Sequence, residues 1–229
     1  MAQLPLNLAL ADHATFATFV AGDNSAAVQH VRAVASGTAD TLWLWGGAGC
    51  GKSHLLQAAC RMATAGGRRA IYVALGSAAP DILAGLDSLD IVALDEVNLV
   101  AGQDAWERPL FGLLNEFLGR RGGLLLGAAT SPTGAGFRLA DLASRAGGAI
   151  AYRLKPLGDS ERALAVRLHA EARGLELEPV AAEYLLRRVD RDMRILTAWL
   201  DRLDRASLIE QRRLTIPFIR ERLADSAGE

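Results

Sequence analysis

Hydrophobic residues fall into five short runs along the chain, and stretches with helical spacing lie between them. Each run is mostly apolar and shows no regular alternation with polar residues. Such runs are typical of strands covered on both faces, as in a parallel sheet between layers of helices. The five predicted strands are 41–45, 70–75, 90–94, 124–129 and 149–154. Their alternation with helices predicts an α/β fold with a five-stranded parallel sheet and right-handed crossovers.

Helical spacing dominates the rest of the chain. Before Pro156 the predicted helices are 25–34, 53–65 and 104–118. After Pro156 no strand pattern follows, and the predicted helices are 160–173, 179–189, 191–209 and 216–223. The pattern therefore divides the chain into an extended arm over 1–15, an α/β domain over 16–156 and a small all-helical domain over 157–229.

Composition and charge narrow the class of protein. The 229 residues are 51% hydrophobic and 22% charged, with a net charge of −1. This supplies a sizeable core and no general attraction to nucleic acid. Cys50 and Cys60 are too few for a disulfide framework or a four-ligand zinc site. The apolar runs are far shorter than the roughly 20 residues of a membrane-spanning helix, and no basic region precedes the apolar N-terminus. We expect a cytoplasmic protein that does not enter the membrane.

A glycine-rich segment follows the first predicted strand and opens the next helix. It fits the pattern G-x-x-x-x-G-K-[ST] with Gly46, Gly47, Ala48, Gly49, Cys50, Gly51, Lys52 and Ser53. The glycines let successive backbone N–H groups curl around phosphate oxygens, and the helix adds its positive N-terminal end. Lys52 would neutralise the β and γ phosphates, and the Ser53 hydroxyl would ligate Mg²⁺. We therefore expect ADP or ATP with Mg²⁺, with His54 facing the nucleotide or solvent.

Two carboxylates end the third predicted strand. Asp95 and Glu96 follow the apolar residues 91–94, and strand C-termini of a parallel sheet point towards the ligand crevice. Asp95 would hold Mg²⁺, directly or through water, and Glu96 would polarise a water for attack on the γ-phosphate. Alone, an Asp-Glu pair at a strand end is more typical of an ordinary turn than of a catalytic site. The preceding phosphate loop favours the catalytic interpretation.

Three further polar residues stand where a nucleotide site would need them. Thr130 follows the fourth predicted strand, Arg145 precedes the fifth, and Arg194 opens a helix of the second domain. Phosphoryl transfer requires positive charge near the developing anion. The chemistry of these residues alone does not establish a role for any of them, because most arginines in a chain are solvated. Their order along the sequence is what favours a functional role.

That order resembles the AAA+ family of nucleotide-binding proteins. The resemblance is closer to the family's DnaA-type clade and, within it, to short regulatory members that inactivate the initiator. The segments that carry it are FVAGDN (19–24), LADLASR (139–145), DRDMR (190–194) and the C-terminal segment 200–223. It covers nearly the whole chain and implies a P-loop AAA+ domain followed by a helical lid.

The resemblance also implies roles for individual residues. Arg145 would be a finger that reaches the nucleotide of a neighbouring subunit, Arg194 would contact phosphates in its own subunit, and Thr130 would be the first sensor. Because fingers act between subunits, self-association is one expectation. The finger could equally act on the nucleotide of DnaA.

The N-terminal arm contains a short apolar peptide with Gln3, Leu4, Leu6 and Leu8. Such peptides dock in a partner's groove, with Gln forming a directional hydrogen bond and leucines filling pockets. The peptide resembles the sliding-clamp-binding segment of the same regulators, although Asn7 replaces the usual proline. The alternative is an apolar arm packed on its own domain.

Three functions are compatible with these features. The first is a regulator that docks on the DNA sliding clamp and stimulates hydrolysis of DnaA-bound ATP, with catalysis completed across the interface, which prevents re-initiation. The second is an autonomous AAA+ ATPase, for instance a helicase loader or a remodelling protein, because Lys52, Asp95 and Glu96 are all present. The third is a nucleotide-gated scaffold. The helical domain takes up the residues after Pro156, so no basic recognition helix and no sequence-specific duplex binding are expected.

Overall fold

The computed structural model describes residues 13–39, 41–119 and 122–225. Gln3, Leu4, Leu6 and Leu8 of the predicted partner-binding peptide lie outside the described residues. The chain folds into two compact units. The first contains Asp23–Lys155 with residues 13–16, and the second contains residues 156–225 with Ala17–Gly22.

A five-stranded parallel sheet forms the centre of the first unit. Its strands are β1 (Leu42–Trp45), β2 (Ala70–Ala74), β3 (Ile91–Asp95), β4 (Gly123–Ala128) and β5 (Ile150–Arg153). Their order across the sheet is β2-β3-β4-β1-β5, and every neighbouring pair is parallel. This confirms the predicted α/β fold.

Burial differs between the central and edge strands. β3 and β4 are buried along their whole length, as their unbroken apolar sequences predict. β5 is largely exposed, and Ile150 keeps 52% of its surface accessible. The expectation that every strand is covered on both faces is therefore wrong for β5, since this strand lies at the edge of the sheet beside β1.

Helices connect the strands of the first unit. They are α1 (Ser25–Ala35), α2 (Lys52–Ala65), α3 (Val97–Val100), α4 (Asp104–Leu118) and α5 (Ala140–Gly147). The sequence pattern predicted the first, second and fourth of these, but not the short α3 and α5. As the helical spacing predicts, α4 buries one face against the core, with Trp106, Leu110, Leu113, Leu114 and Phe117. Each such side chain stabilises the fold by about 1.5–3 kcal/mol.

The second unit is all-helical and has a core of its own. Its helices are α6 (Asp159–Glu171), α7 (Pro179–Leu186), α8 (Met193–Glu210) and α9 (Ile216–Asp225). Buried residues from all four helices meet, among them Val166, Leu185, Leu196, Leu200 and Phe218. α8 begins two residues later than predicted, because Asp192 caps it by accepting the Arg194 N–H at 2.8 Å. The predicted helical lid is confirmed.

No helix in the described part of the chain is long and apolar enough to span a membrane.

Candidate functional site

The phosphate loop leaves β1 and opens α2, and three of its glycines adopt conformations that side chains disfavour. Gly46 has φ +149°, Gly49 has φ +70° and Gly51 has φ +95°. A Cβ on Gly46 would lie 2.7 Å from the carbonyl oxygen of Leu154. Only glycine therefore allows the loop to leave the sheet so close to the chain that follows β5.

Lys52 lies across this loop. Its Nζ donates hydrogen bonds to the carbonyl oxygens of Gly46 and Gly47, both at 2.8 Å, and lies 3.7 Å from Cys50 Sγ. Intrahelical bonding begins where the Leu55 N–H reaches Gly51 O. The N–H groups of the first turn point towards the same end of the helix. The loop thus gathers one ammonium and the positive end of a helix in one place, which suits a phosphate chain.

Asp95, the last residue of β3, is only 2% exposed and is held on both oxygens. Oδ1 accepts the Glu96 N–H at 2.9 Å, and Oδ2 accepts the Tyr72 hydroxyl at 3.1 Å. The Tyr72 hydroxyl also interacts with the Ser53 side chain. Burial, together with the Asp95 charge and hydrogen bond, raises the pKa of Tyr72, so this hydroxyl stays protonated and serves as a donor. Tyr72 from β2 therefore joins the two predicted Mg²⁺ ligands, Ser53 and Asp95.

The residues present fit a magnesium ion. One carboxylate and one hydroxyl leave most coordination positions to water and phosphate oxygens, the arrangement that Mg²⁺ usually adopts. Gly127 in β4 provides the space for the carboxylate, because a Cβ there would lie 2.6 Å from Asp95 Oδ1. Bound Mg²⁺ would neutralise phosphate charge, with Ser53 and Asp95 as its protein ligands.

Glu96 adopts a conformation that is uncommon for a residue with a side chain. Its φ and ψ are 62° and 30°, and it stands immediately before α3. Its carboxylate lies against the turn that follows β2, where a Cβ on Gly76 would be 2.5 Å from Glu96 Oε2. Left-handed residues of this kind cluster at functional sites. The backbone thereby turns Glu96 away from the strand while Asp95 stays within it.

The end of β4 is tied to α3. The Ala129 N–H donates to Asn98 Oδ1 at 2.7 Å, and the Thr130 carbonyl accepts from Trp43 Nε1 at 2.9 Å. The side chain of Thr130 is exposed at this edge of the sheet. Asn98 was not a predicted site residue, and its single polar position in an apolar stretch gave no signal.

The segment before α1 is attached to the chain beyond β5. Asn24 is buried, and its side chain donates to the Lys155 carbonyl at 3.0 Å and accepts the Lys155 N–H at 2.8 Å. The Lys155 ammonium pairs with Asp23 at 3.0 Å. The end of the FVAGDN segment is therefore fixed to the sheet that carries the phosphate loop.

His54 turns towards the start of the described chain. Its Nε2 lies 2.7 Å from the Thr15 carbonyl oxygen, and since a carbonyl only accepts, Nε2 carries the proton. Burial lowers the pKa of His54 to about 4, although the hydrogen bond to Thr15 acts in the opposite direction. A contact between His54 and a nucleotide would thus come from its backbone N–H.

Acid should weaken the first unit through His54. Because its pKa is about 4 in the folded state and 6.5 ordinarily, the unfolded chain binds the extra proton between these values. The stability is present above pH 6.5 and is lost as pH falls towards 4. We expect this group to contribute about 2–3 kcal/mol to the fall in unfolding free energy. Urea unfolding at a series of pH values gives the free energy of unfolding as a function of pH. This free energy should fall less steeply with acid in His54→Gln, which keeps a donor for Thr15.

The matched control is Thr64→Ser, which changes an exposed, non-titrating residue of α2 and should keep the wild-type dependence of the unfolding free energy on pH. An unchanged slope in His54→Gln would contradict the proposed origin of the acid sensitivity.

Arg145 lies in the last turn of α5 and is exposed. Leu142 and Ala146 of the same helix are buried, and Arg145 lies at the flank of this buried face, where its side chain reaches solvent. Within the described ranges, no hydrogen bond or ion pair engages its guanidinium. The group is therefore free to meet an anion of another molecule.

Arg194 belongs to the second unit and is engaged locally. Its guanidinium donates to Asp192 at 2.6 and 3.2 Å. The hydrogen bond to Asp192 and the charge of that carboxylate raise the pKa of Arg194. Asp192 lies in the segment DRDMR but had no predicted role of its own. It both caps α8 and orients the arginine.

A P-loop, an acidic strand end and this sheet order, followed by a helical lid, define an AAA+ nucleotide-binding fold. Residues 10–147 match the family model of the bacterial DnaA ATPase domain, and residues 159–223 match the model of the Hda lid domain. The chain belongs to the DnaA-related AAA+ family and is of the Hda type.

Solved structures show the same fold. Domain III of the Thermotoga maritima replication initiation protein DnaA superposes with a TM-score of 0.79 at 22% identity, covering 93% of this chain and 96% of that chain. AMPPCP-bound DnaA from Aquifex aeolicus gives 0.68 at 23% identity, covering 85% and 66%. The RuvB Holliday junction branch migration motor of T. maritima gives 0.61 at 21% identity, covering 88% and 66%.

Proposed function

We propose that this chain is a nucleotide-bound regulator of replication initiation. It docks on the DNA sliding clamp and stimulates hydrolysis of ATP bound to DnaA, which prevents re-initiation. The exposed Arg145 carries this proposal. Within the described residues it has no partner in its own chain, and an arginine finger acts on a nucleotide held by another subunit.

Catalysis in trans requires a positive charge that is held in position and is not neutralised by a partner in its own chain. α5 fixes the backbone of Arg145 while its exposed guanidinium keeps all its donors for phosphate oxygens. In the complex it would contact the γ-phosphate of DnaA-bound ATP and stabilise the charge that develops during transfer. The attacking water and the Mg²⁺ would be supplied by DnaA, so this chain would complete the site without using its own nucleotide.

The nucleotide of the chain itself would be ADP or ATP. The loop from Gly46 to Ser53 would surround the phosphates, with Lys52 exchanging its contacts to Gly46 and Gly47 for phosphate oxygens. Ser53 and Asp95 would hold Mg²⁺, and Arg194 and Thr130 would contact the phosphates. Two structurally similar DnaA structures contain bound AMPPCP, which supports an adenine nucleotide.

Clamp docking rests on residues 3–8. Deleting them should abolish the clamp-dependent part of the stimulation, because Gln3, Leu4, Leu6 and Leu8 would supply the hydrogen bond and the apolar contacts. The measurement is hydrolysis of radiolabelled ATP on DnaA with DNA-loaded clamp, for the full chain and the deletion variant. A matched variant with Asn7→Pro should stimulate at least as well, since proline favours the extended form. Clamp-dependent stimulation by the deletion variant would refute the role of the arm.

An autonomous ATPase is the second candidate, and the arrangement around Asp95 favours it. Tyr72 and the Glu96 N–H hold the carboxylate, and Glu96 stands next to it with its side chain turned from the strand. This candidate would be supported if the purified chain alone hydrolysed ATP rapidly and Glu96→Gln abolished the hydrolysis.

A further inference from the structure

A buried carboxylate outside the nucleotide site receives backbone N–H groups from two loops. Glu107 in α4 is 2% exposed. Its Oε1 accepts the N–H of Gly102 at 2.6 Å and that of Arg138 at 3.0 Å, and its Oε2 accepts the N–H of Leu139 at 2.7 Å. A buried charge is tolerated only when it is satisfied in this way. Burial acts to raise the pKa of Glu107, but the three N–H groups outweigh it and hold the pKa below its usual range.

Two of these donors stand immediately before α5. Arg138 and Leu139 precede Ala140, the first residue of the helix, and Leu139 occupies the N-cap position without a side-chain cap of its own. Glu107 therefore accepts the N-cap N–H, which in a capping box is accepted by a glutamate of the helix itself. A negative charge at this end of a helix is also favourable for the helix dipole.

The third donor comes from the other side. Gly102, with φ +82°, lies in the turn between α3 and α4. α3 begins directly after Glu96, and the turn with Gly102 ends it. The Glu107 carboxylate therefore links the turn that follows α3 to the start of α5. Nothing in the sequence identifies this link, since the donors at 138 and 139 are about thirty positions away.

Arg145 depends on where α5 begins. Arg145 lies six positions after Leu139, a rise of about 9 Å in a helix. Leu142 and Ala146 fix one side of the helix against the core, while Glu107 holds the two residues that lead into it. Apolar contacts alone allow a short helix to slide or rotate, whereas hydrogen bonds to two consecutive N–H groups define its position along and around its axis.

We propose that Glu107 is the positioning residue of Arg145 and sets the finger for hydrolysis in trans. This inference rests on the proposed function. Misplacement of a reacting group by about 1 Å costs up to about 100-fold in rate. Glu107→Gln replaces one acceptor oxygen with an NH₂ group that faces backbone donors, so it loosens the tether with little change of volume.

The test measures stimulated hydrolysis of DnaA-bound ATP at increasing concentrations of wild type, Glu107→Gln and Arg145→Ala. We expect Glu107→Gln to lower the maximal rate by about 10- to 100-fold and to keep the half-saturating concentration within about twofold. Hydrogen exchange should accelerate over residues 138–147. A second variant, Leu139→Pro, removes one donor at a residue whose φ of −72° proline accepts, and it should lower the maximal rate in the same direction.

The matched control is Val34→Ala. It removes buried methyl groups from α1, which packs on α2, β1 and β4. At a thermal stability equal to that of Glu107→Gln, it should keep the wild-type maximal rate. Three results would overturn the inference while the proposed function stands. They are a wild-type maximal rate in Glu107→Gln, an equal fall of the maximal rate in Val34→Ala, and a change in Glu107→Gln that affects only the half-saturating concentration. Absence of stimulation by the wild type would overturn both.

Discussion

Replacing Arg145 with alanine should reduce stimulated hydrolysis of DnaA-bound ATP by about 10³-fold, or to the basal rate of DnaA, since arginine fingers contribute at least this factor. The guanidinium is exposed on α5, and no intramolecular partner within the described residues takes up its donors. Its removal leaves the developing charge on the γ-phosphate without compensation from this chain. The measurement is single-turnover hydrolysis of labelled ATP on DnaA with DNA-loaded clamp.

Two further variants sharpen this result. Arg145→Lys keeps the charge but loses the planar fork that binds two phosphate oxygens, so it should remain strongly impaired. Arg167→Ala removes an exposed arginine of the second unit and should behave as the wild type. Full stimulation by Arg145→Ala would exclude a finger role for this residue.

Replacing Lys52 with alanine should weaken ADP and ATP binding by about 100-fold, because it removes one to two charge-assisted contacts to phosphate. Lys52 already lies over the loop, where it bonds to the Gly46 and Gly47 carbonyls. Those carbonyls hold the ammonium close to where a phosphate chain would lie. Isothermal titration of the purified chain with each nucleotide measures the effect.

The other lysine of the chain is the matched control. Lys155 pairs with Asp23 through an exposed contact, and such surface pairs contribute about 0–1 kcal/mol. Lys155→Ala should therefore bind nucleotide as the wild type does. Unchanged affinity in Lys52→Ala would mean that the loop does not bind phosphate in the expected way.

The fold was predictable where burial dictates sequence. β3 and β4 are covered on both faces, so their sequences are continuous apolar runs. α3 and α5 were missed because they are short, and a few residues cannot display helical spacing. The exposed β5 still reads as a strand, but its position at the sheet edge depends on pairing with β1 and not on its own residues.

The candidate site was predictable only where the chemistry is local in sequence. Lys52 and Ser53 lie in one contiguous motif, and Asp95 and Glu96 are adjacent. Tyr72 and Glu107 instead act through partners that are distant along the chain, at separations of 23 and 31 residues. The residues next to Tyr72 and Glu107 in the sequence give no sign of these partners, which only folding brings close.

Hydrolysis of ATP already bound to DnaA, followed in single turnover with DNA-loaded clamp and with or without the wild-type protein, tests the trans-acting role. The rate should rise by at least about 10³-fold when protein and clamp are both present, and by far less when either is omitted. If the rate on DnaA does not change while the protein alone hydrolyses ATP and loses this activity in Glu96→Gln, the chain is an autonomous ATPase and not a regulator of DnaA.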